Sequence, residues 1–235
     1  MENSKVAVVT GASRGLGAEF CRMLSTEGYT VAMAARSLTE LQKISAALSL
    51  PEKCSLHQVD LSKEEGVSSL AREVIERHGK VDLLINNAGI GSFKRLEQFE
   101  TTEFDDMFQL NVKAPWLLTK LLLPQLKQSS ALIVMVSSDV STRTFVNGGI
   151  YTATKFALRA LTRTFQQENP DLRFLELRPG AIDTNFAGST QGAEGKSEFL
   201  KVEAVVAALR SVLQLTPDAR VEEIVVRSVH QAVEY

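Results

Sequence analysis

Tyr151 and Lys155 stand four residues apart in Tyr151-Thr152-Ala153-Thr154-Lys155, a spacing that puts a phenol and an ammonium on one face of a helix. A phenol with an ordinary pKa of about 10 exchanges protons poorly at neutral pH. An ammonium beside it favours the phenolate, so the pair can give a proton to a developing alkoxide. Alone the pattern is weak, because an isolated Tyr-x-x-x-Lys is usually a core tyrosine and a surface charge. Here it ends an ordered series: Thr10-Gly11-Ala12-Ser13-Arg14-Gly15-Leu16-Gly17, then Asn86-Asn87-Ala88-Gly89, Asn111 and Ser137-Ser138.

Short apolar runs rich in β-branched residues recur at Lys5 to Val9, Thr30 to Ala34, Ser55 to Val59, Val81 to Ile85, Ala131 to Val136, Arg173 to Leu177 and Glu223 to Val226. Segments with helical spacing lie between them: Gly15 to Glu27, Leu38 to Leu48, Lys63 to His78, Thr102 to Gln128, Tyr151 to Glu168 and Val202 to Gln214. Alternation of strand and helix implies an α/β fold whose parallel sheet carries helices on both faces. Pro115 falls inside the longest helical segment and is expected to break or kink it near Asn111 to Ala114. The stretch Ala187 to Ser197, rich in glycine and small polar residues, reads as a loop.

Gly11, Gly15 and Gly17 follow the first strand and precede a helix, in the spacing G-x-x-x-G-x-G rather than the commoner G-x-G-x-x-G. Glycines permit a tight turn and close approach of backbone to a pyrophosphate, and the helix N-terminus adds unpaired amides. Such a turn also occurs as a plain connector, as do Asn-Ala-Gly and Pro-Gly turns. NAD sites place a carboxylate at the end of the second strand to accept the ribose hydroxyls. Here that end reads Met33-Ala34-Ala35-Arg36-Ser37, with no acid. A guanidinium pairs with a 2′-phosphate, and Arg14 can approach the same phosphate from the glycine turn, so the residues favour NADP(H) over NAD(H). Either arginine taken singly could equally be a solvated charge.

As a set, these motifs resemble the classical short-chain dehydrogenases/reductases, with Asp60-Leu61, Pro179-Gly180 and Thr184 completing the match over nearly the whole chain. The resemblance implies a single-domain, Rossmann-like, doubly wound parallel sheet of about seven strands, order 3-2-1-4-5-6-7, spanning residues 1–235. It implies cofactor contacts from Gly11, Ser13, Arg14, Gly15, Leu16, Gly17 and Arg36, adenine contacts from Asp60 and Leu61, and a wall from Asn87, Ala88 and Gly89. Pro179, Gly180, Ile182 and Thr184 would flank the nicotinamide, and Lys155, with Tyr151, would also hold its ribose. In the same way it selects Ser138 over Ser137 as the group that orients the substrate oxygen, and gives Asn111 a proton-relaying water.

The implied activity is reversible NADPH-dependent reduction of a ketone or aldehyde, with Tyr151 as proton donor and Asn111, Ser138 and Lys155 as its partners. Reduction of a 3-oxoacyl group on a carrier protein is the alternative within that chemistry. A non-catalytic NADP(H) sensor and a structural protein are the alternatives outside it. Substrate choice falls to the loops Ile90 to Phe99, Asp139 to Ile150 and Ile182 to Phe199, with Phe145 and Phe186 as candidate contacts beside Phe93, Val146 and Phe199. The glycine-rich part from Gly188 to Gly195 could close over them as a lid. The resemblance also suggests a homodimer or homotetramer through the segments Thr102 to Gln128 and Tyr151 to Glu168. The run Trp116-Leu117-Leu118 with Leu121-Leu122-Leu123 fits either such an interface or burial against the sheet.

Bulk properties narrow the remaining classes. The chain has 235 residues, 44% hydrophobic and 23% charged, with a formal net charge of -2 and no basic run, so neither nucleic acid nor an anionic membrane is an expected partner. Two cysteines, Cys21 and Cys54, cannot build a disulfide framework. His57, His78 and His230 lack metal-ligand spacing, so no metal is expected. No signal-peptide layout or spanning apolar stretch is seen, and a cytoplasmic location is the expectation.

Overall fold

The computed structural model describes residues 4–188, 191–193 and 195–231. Seven parallel strands form one sheet: β1 (Val6–Thr10), β2 (Thr30–Ala35), β3 (Cys54–Gln58), β4 (Leu83–Asn86), β5 (Leu132–Val136), β6 (Arg173–Pro179) and β7 (Glu223–Val226). Their order is β3-β2-β1-β4-β5-β6-β7, as the resemblance implies. The central strands β1, β4 and β5 are buried throughout, which is why they read as continuous apolar runs rather than alternating ones.

Alternate residues of those strands feed two cores. Ala7 and Val9 of β1 face a layer formed by α1 (Gly15–Thr26), α2 (Leu38–Ala46) and α7 (Val202–Leu213), with Phe20, Leu24, Leu41 and Leu209 at its centre. Val8 faces the other layer, where Leu70 of α3 (Glu64–His78), Leu118 and Leu122 of α5 (Ala114–Gln128) and Leu158 of α6 (Gly149–Glu168) pack together. The leucine run of α5 therefore divides: Leu118 and Leu122 are buried, while Trp116, Leu117, Leu121 and Leu123 are partly buried against the same core.

Pro115 does not break the long helical stretch. The chain stays helical from α4 (Thr101–Phe108) through a π-helical turn, Gln109–Lys113, into α5. Proline has no N–H to offer the carbonyl four residues back, which here belongs to Asn111. Pairing one residue further on absorbs that fault, as in the bond from Ala114 N–H to the Gln109 carbonyl. Pro115 then occupies the first turn of α5, where a missing N–H costs nothing.

After β3 the chain returns to the middle of the sheet, so β1 and its neighbour β4 carry their following loops to opposite sides. Open parallel sheets bind ligands at this reversal, beyond the C-terminal ends of the strands. Thr10, the last residue of β1, ties the two strands together there. Its hydroxyl donates to the Ile85 carbonyl at 3.3 Å and accepts from the amides of Asn87 and Ala88 at 2.9 and 3.0 Å.

Candidate active site

A cleft of about 1280 Å³ runs across the C-terminal ends of the strands, from Gly11, Arg36 and Asp60 to Ser138, Tyr151 and Phe186. At its first end the backbone is shaped to admit a ligand closely. Gly11 and Gly15 adopt positive φ, +67° and +52°, where a side chain would be strained. A Cβ on Gly17 would stand 2.2 Å from the Gly11 carbonyl oxygen, so only glycine lets α1 begin this near the turn. Arg14 is the N-cap of α1 and its side chain caps nothing, which leaves the opening amides of the helix for an anion in the cleft.

Arg14 and Arg36 are exposed, line the cleft, and make no ion pair among the described residues. Asp60 sits below Arg36, its carboxylate accepting from the Ser62 amide and hydroxyl at 3.0 and 2.7 Å. Those bonds, with some help from Arg36, hold it below the usual carboxylate range. Asn87 is held by its side-chain amide on the Thr10 carbonyl at 2.9 Å. Ser13, Leu16, Leu61, Ala88, Gly89, Pro179, Gly180, Ile182 and Thr184 also line the cleft. Gly15 does not; its Cα faces the Thr184 side chain instead.

At the other end three elements converge. Ser138 follows β5, Tyr151 lies in the first turn of α6, and Lys155 one turn further on carries its ammonium into the interior with 6% exposure. Lys155 Nζ donates to the Val136 carbonyl at 3.1 Å and lies 5.6 Å from the centre of the Tyr151 ring. Burial lowers its pKa to about 8, against an upward pull from Glu176. Burial raises the Tyr151 phenol, a hydrogen bond with Ser138 lowers it, and the negative charge of Asp139 raises it again.

Asn111 lies outside the cleft lining, in the π-helical turn, at 1% exposure. Both ends of its side chain clasp the Ile90 backbone, Nδ2 to the carbonyl at 2.8 Å and Oδ1 from the amide at 2.9 Å, and Nδ2 also reaches Thr154 Oγ1 at 3.1 Å. Its side chain is therefore occupied in fixing the loop after β4 against α6. Phe145 and Phe186 do line the cleft, together with Phe93 and Phe199, and Phe186 lies 5.8 Å from the Tyr151 ring. Of the expected lid, Ser189, Thr190 and Glu194 lie outside the described residues.

The profile of the short chain dehydrogenase family matches residues 5–195. The chain belongs to that family. An uncharacterized oxidoreductase of Staphylococcus saprophyticus is 29% identical over 241 residues, with 97% of this chain and 98% of that protein covered. A solved alcohol dehydrogenase from the archaeon Thermococcus sibiricus, complexed with 5-hydroxy-NADP, is 46% identical with a TM-score of 0.94, over 99% of this chain and 100% of that one. A metagenomic short-chain oxidoreductase in complex with NADP is 26% identical with a TM-score of 0.82, over 94% and 96% of the two chains.

This short-chain dehydrogenase also carries a buried charge network that its motifs do not announce. Glu176 in β6 is fully buried, accepts from Ser141 Oγ at 2.9 Å and pairs with Arg159 of α6. Arg178, two residues on, donates to the carbonyls of Ser138 and Asp139 at 3.3 and 3.1 Å and to Thr142 Oγ1 at 2.5 Å. Asp139 accepts from Gln231 Nε2 at 2.7 Å, pairs with Arg143 at 2.7 Å and lies 3.3 Å from Arg227, so the C-terminal segment is fastened to the loop that carries Ser138.

Elsewhere, Ser55 Oγ lies 2.9 Å from His57 Nε2, and His57 Nδ1 lies 2.8 Å from Glu73. That is the partner order of a nucleophilic triad. Ser55, however, is 2% exposed and its hydroxyl also bonds His78, so the chain of bonds ties β3 to α3 rather than facing a substrate. Among the described residues no cluster of three or more His, Cys, Asp or Glu could hold a metal ion, and no helix is long and apolar enough to cross a membrane.

Glu176→Gln takes the buried carboxylate away from Lys155 and leaves Arg159 with Glu223 on the edge strand. The substitution is expected to lower unfolding free energy by about 3 kcal/mol, read as a lower urea midpoint with unchanged slope. A midpoint equal to that of the unaltered protein would remove Glu176 from this role.

Proposed function

We propose that this dehydrogenase reversibly reduces a small-molecule ketone or aldehyde with NADPH, Tyr151 giving the proton. The observation that carries the reading is the convergence of Ser138, Tyr151 and Lys155 at the end of the cleft opposite Arg14 and Arg36. The glycine cradle, the uncapped start of α1 and the missing acid after β2 fit an NADP(H) dinucleotide, and the two NADP-type ligands of the solved relatives support it. On this reading Gly11, Ser13, Arg14, Leu16, Gly17 and Arg36 hold the phosphates, and Asp60, Leu61, Asn87, Ala88 and Gly89 flank the adenosine. Pro179, Gly180, Ile182 and Thr184 lie along the nicotinamide half.

When bound, the nicotinamide supplies or accepts the hydride. The chain's own residues manage the proton and the position of the carbonyl. Ser138 donates to the substrate oxygen, and the Tyr151 hydroxyl gives up its proton as that oxygen becomes an alkoxide. The resulting phenolate is buried, and burial and Asp139 both oppose it. A positive charge on Lys155, 5.6 Å from the centre of the Tyr151 ring, favours the phenolate and works against that cost. Lys155 must be protonated to supply that charge. Asn111 acts through position, holding Ile90 and Thr154 so that the loop after β4 and the helix α6 keep their spacing.

The 3-oxoacyl-carrier alternative calls for a cationic rim. Lys94 is paired with Glu103 and lies over the Phe99 ring, and Arg95 pairs with Glu97, so neither favours that reading. Assembly into a dimer or tetramer through the segments Thr102 to Gln128 (α4 and α5) and Tyr151 to Glu168 (α6) belongs to the proposal as well, supported by Phe104 on α4 and Phe156 on α6, which stay 44% and 42% exposed.

The deciding experiment is NADPH oxidation across ketones, aldehydes and 3-oxoacyl thioesters, with Tyr151→Phe as control. The variant is expected to lose about a thousandfold in kcat/KM, and no Tyr151-dependent turnover on any of them would end the proposal. The same assay sets the pH dependence. Lys155 is charged below its pKa of about 8 and neutral above it, so kcat/KM for reduction is expected to fall as pH rises through about 8. A rate flat to pH well above that value would contradict the role of the ammonium. Arg36→Asp removes a phosphate partner and introduces a ribose acceptor, so the preference is expected to move from NADPH toward NADH by roughly a hundredfold. An unchanged ratio of the two kcat/KM values would refute the assignment.

A further inference from the structure

Three phenylalanines from three separate loops gather in the cleft beside the Tyr151 ring. Phe93 meets the Tyr151 ring edge-on at 5.4 Å, Phe186 lies 5.8 Å from it, and Phe145 lies 5.7 Å from Phe93. All three remain well exposed at 46%, 36% and 38%, so the apolar surface they present to the cleft is not spent on packing the core. The backbone makes room for them. A Cβ on Gly91 would stand 2.7 Å from the Phe186 ring, and one on Gly148 would stand 2.2 Å from the Phe145 ring. Phe186 and Phe145 therefore pack closely on glycines, where any side chain would displace them.

The charges at this end are neutralised or repel anions. Asp139 is held by Arg143 and Arg227, and Lys196 by Asp183 at 3.7 Å and by the Thr184 carbonyl at 2.6 Å. Asp106 on α4 lines the rim with no ion pair among the described residues, and its charge is negative. Among the described residues, a carboxylate or phosphate on the substrate would find no cation at this end without an ion-pair partner besides Lys155, which the chemistry already uses. An apolar wall of aromatic rings instead suits a flat, apolar group, which gains from offset or edge contacts with aromatic faces as well as from leaving water.

We infer that the substrate is an uncharged carbonyl compound bearing an aryl group, held between Phe93, Phe145 and Phe186 with its oxygen on Ser138 and Tyr151. This rests on the carbonyl-reductase reading and names the class of molecule for that same site. Reduction consumes the hydride and one proton and leaves an aryl carbinol, and oxidation of that alcohol reverses both.

The test compares kcat/KM of the purified enzyme with NADPH on acetophenone, benzaldehyde, acetone, pyruvate and a 3-oxoacyl thioester. The two aryl compounds are expected to exceed acetone and pyruvate by at least about tenfold, and Phe93→Ala and Phe186→Ala to lower the acetophenone-to-acetone ratio by about tenfold each. Phe93→Leu, which keeps apolar bulk without the ring, is expected to recover only part of that ratio; thermal melting and NADPH affinity of each variant report folding separately. Faster turnover of pyruvate or the thioester than of the aryl compounds, or phenylalanine variants that leave the ratio unchanged, would overturn the substrate class. In that outcome, Tyr151-dependent turnover of any compound still upholds carbonyl reduction, whereas turnover of none defeats the parent reading.

Discussion

Lys155 brings a positive charge into a place that opposes it, and much of the molecule is arranged to let that charge persist. Burial alone draws an ammonium toward its neutral form, and here the result is a pKa of about 8, close to the working pH of most cells. Two features limit the fall: the Val136 carbonyl at 3.1 Å, and the buried carboxylate of Glu176 on the neighbouring strand. Glu176 in turn requires Arg159, and Arg159 also meets Glu223 of β7 at 2.8 Å. The network thus runs from the edge strand to the active site. A charge held this loosely is useful, because a group that binds its proton neither too firmly nor too weakly can answer to the ionisation of Tyr151 beside it.

The cleft itself follows from topology more than from any one residue. A parallel sheet places every strand's C-terminal end on one side, and the reversal between β1 and β4 opens a gap there. Thr10 closes the base of that gap with three hydrogen bonds, and Gly17 lets α1 start hard against it. Ser138 and Tyr151 reach the same edge from β5 and α6, so the two halves of the site depend on the register of one sheet.

Features that depend on local pattern could be read from the chain in advance, and features that depend on distant pairing could not. The central strands were legible because burial on both faces demands unbroken apolar runs such as Val6 to Val9. The glycine turn, Arg36 and Tyr151 with Lys155 were legible because their spacing states their geometry. Pro115 misled, since its missing N–H signals a break but the π-helical turn beside it carries the helix onward. Asp139 stands next to Ser138 and an acid there could have been noticed, yet its partner Gln231 lies 92 residues away, beyond any periodicity. Glu176 reads as a flaw in an apolar strand until Arg159 and Ser141 are seen around it.

The position of Ser138 shows why those distant pairings matter to chemistry. It lies in a loop rather than in the strand or the helix on either side, and a loop residue must be fixed by something else if its hydroxyl is to meet a carbonyl oxygen. Arg178 supplies that from below, holding the Ser138 and Asp139 carbonyls and Thr142 with one guanidinium. From the side, Gln231 and Arg227 hold the Asp139 carboxylate, which also lies 3.2 Å from Ser138 Oγ as an acceptor. Asp139 therefore has two opposed effects. On the proposed reading it fixes where the serine oxygen lies until the substrate oxygen takes over the single hydroxyl proton, which favours catalysis, and its charge raises the cost of the Tyr151 phenolate, which opposes it. Pairing with two arginines tempers the second effect without disturbing the first, because a hydrogen bond to Ser138 depends on where the oxygen lies and the field at Tyr151 depends on net charge. Catalytic geometry held within a fraction of an ångström is worth orders of magnitude in rate, and on the proposed reading the ion pairs around Asp139 secure it here.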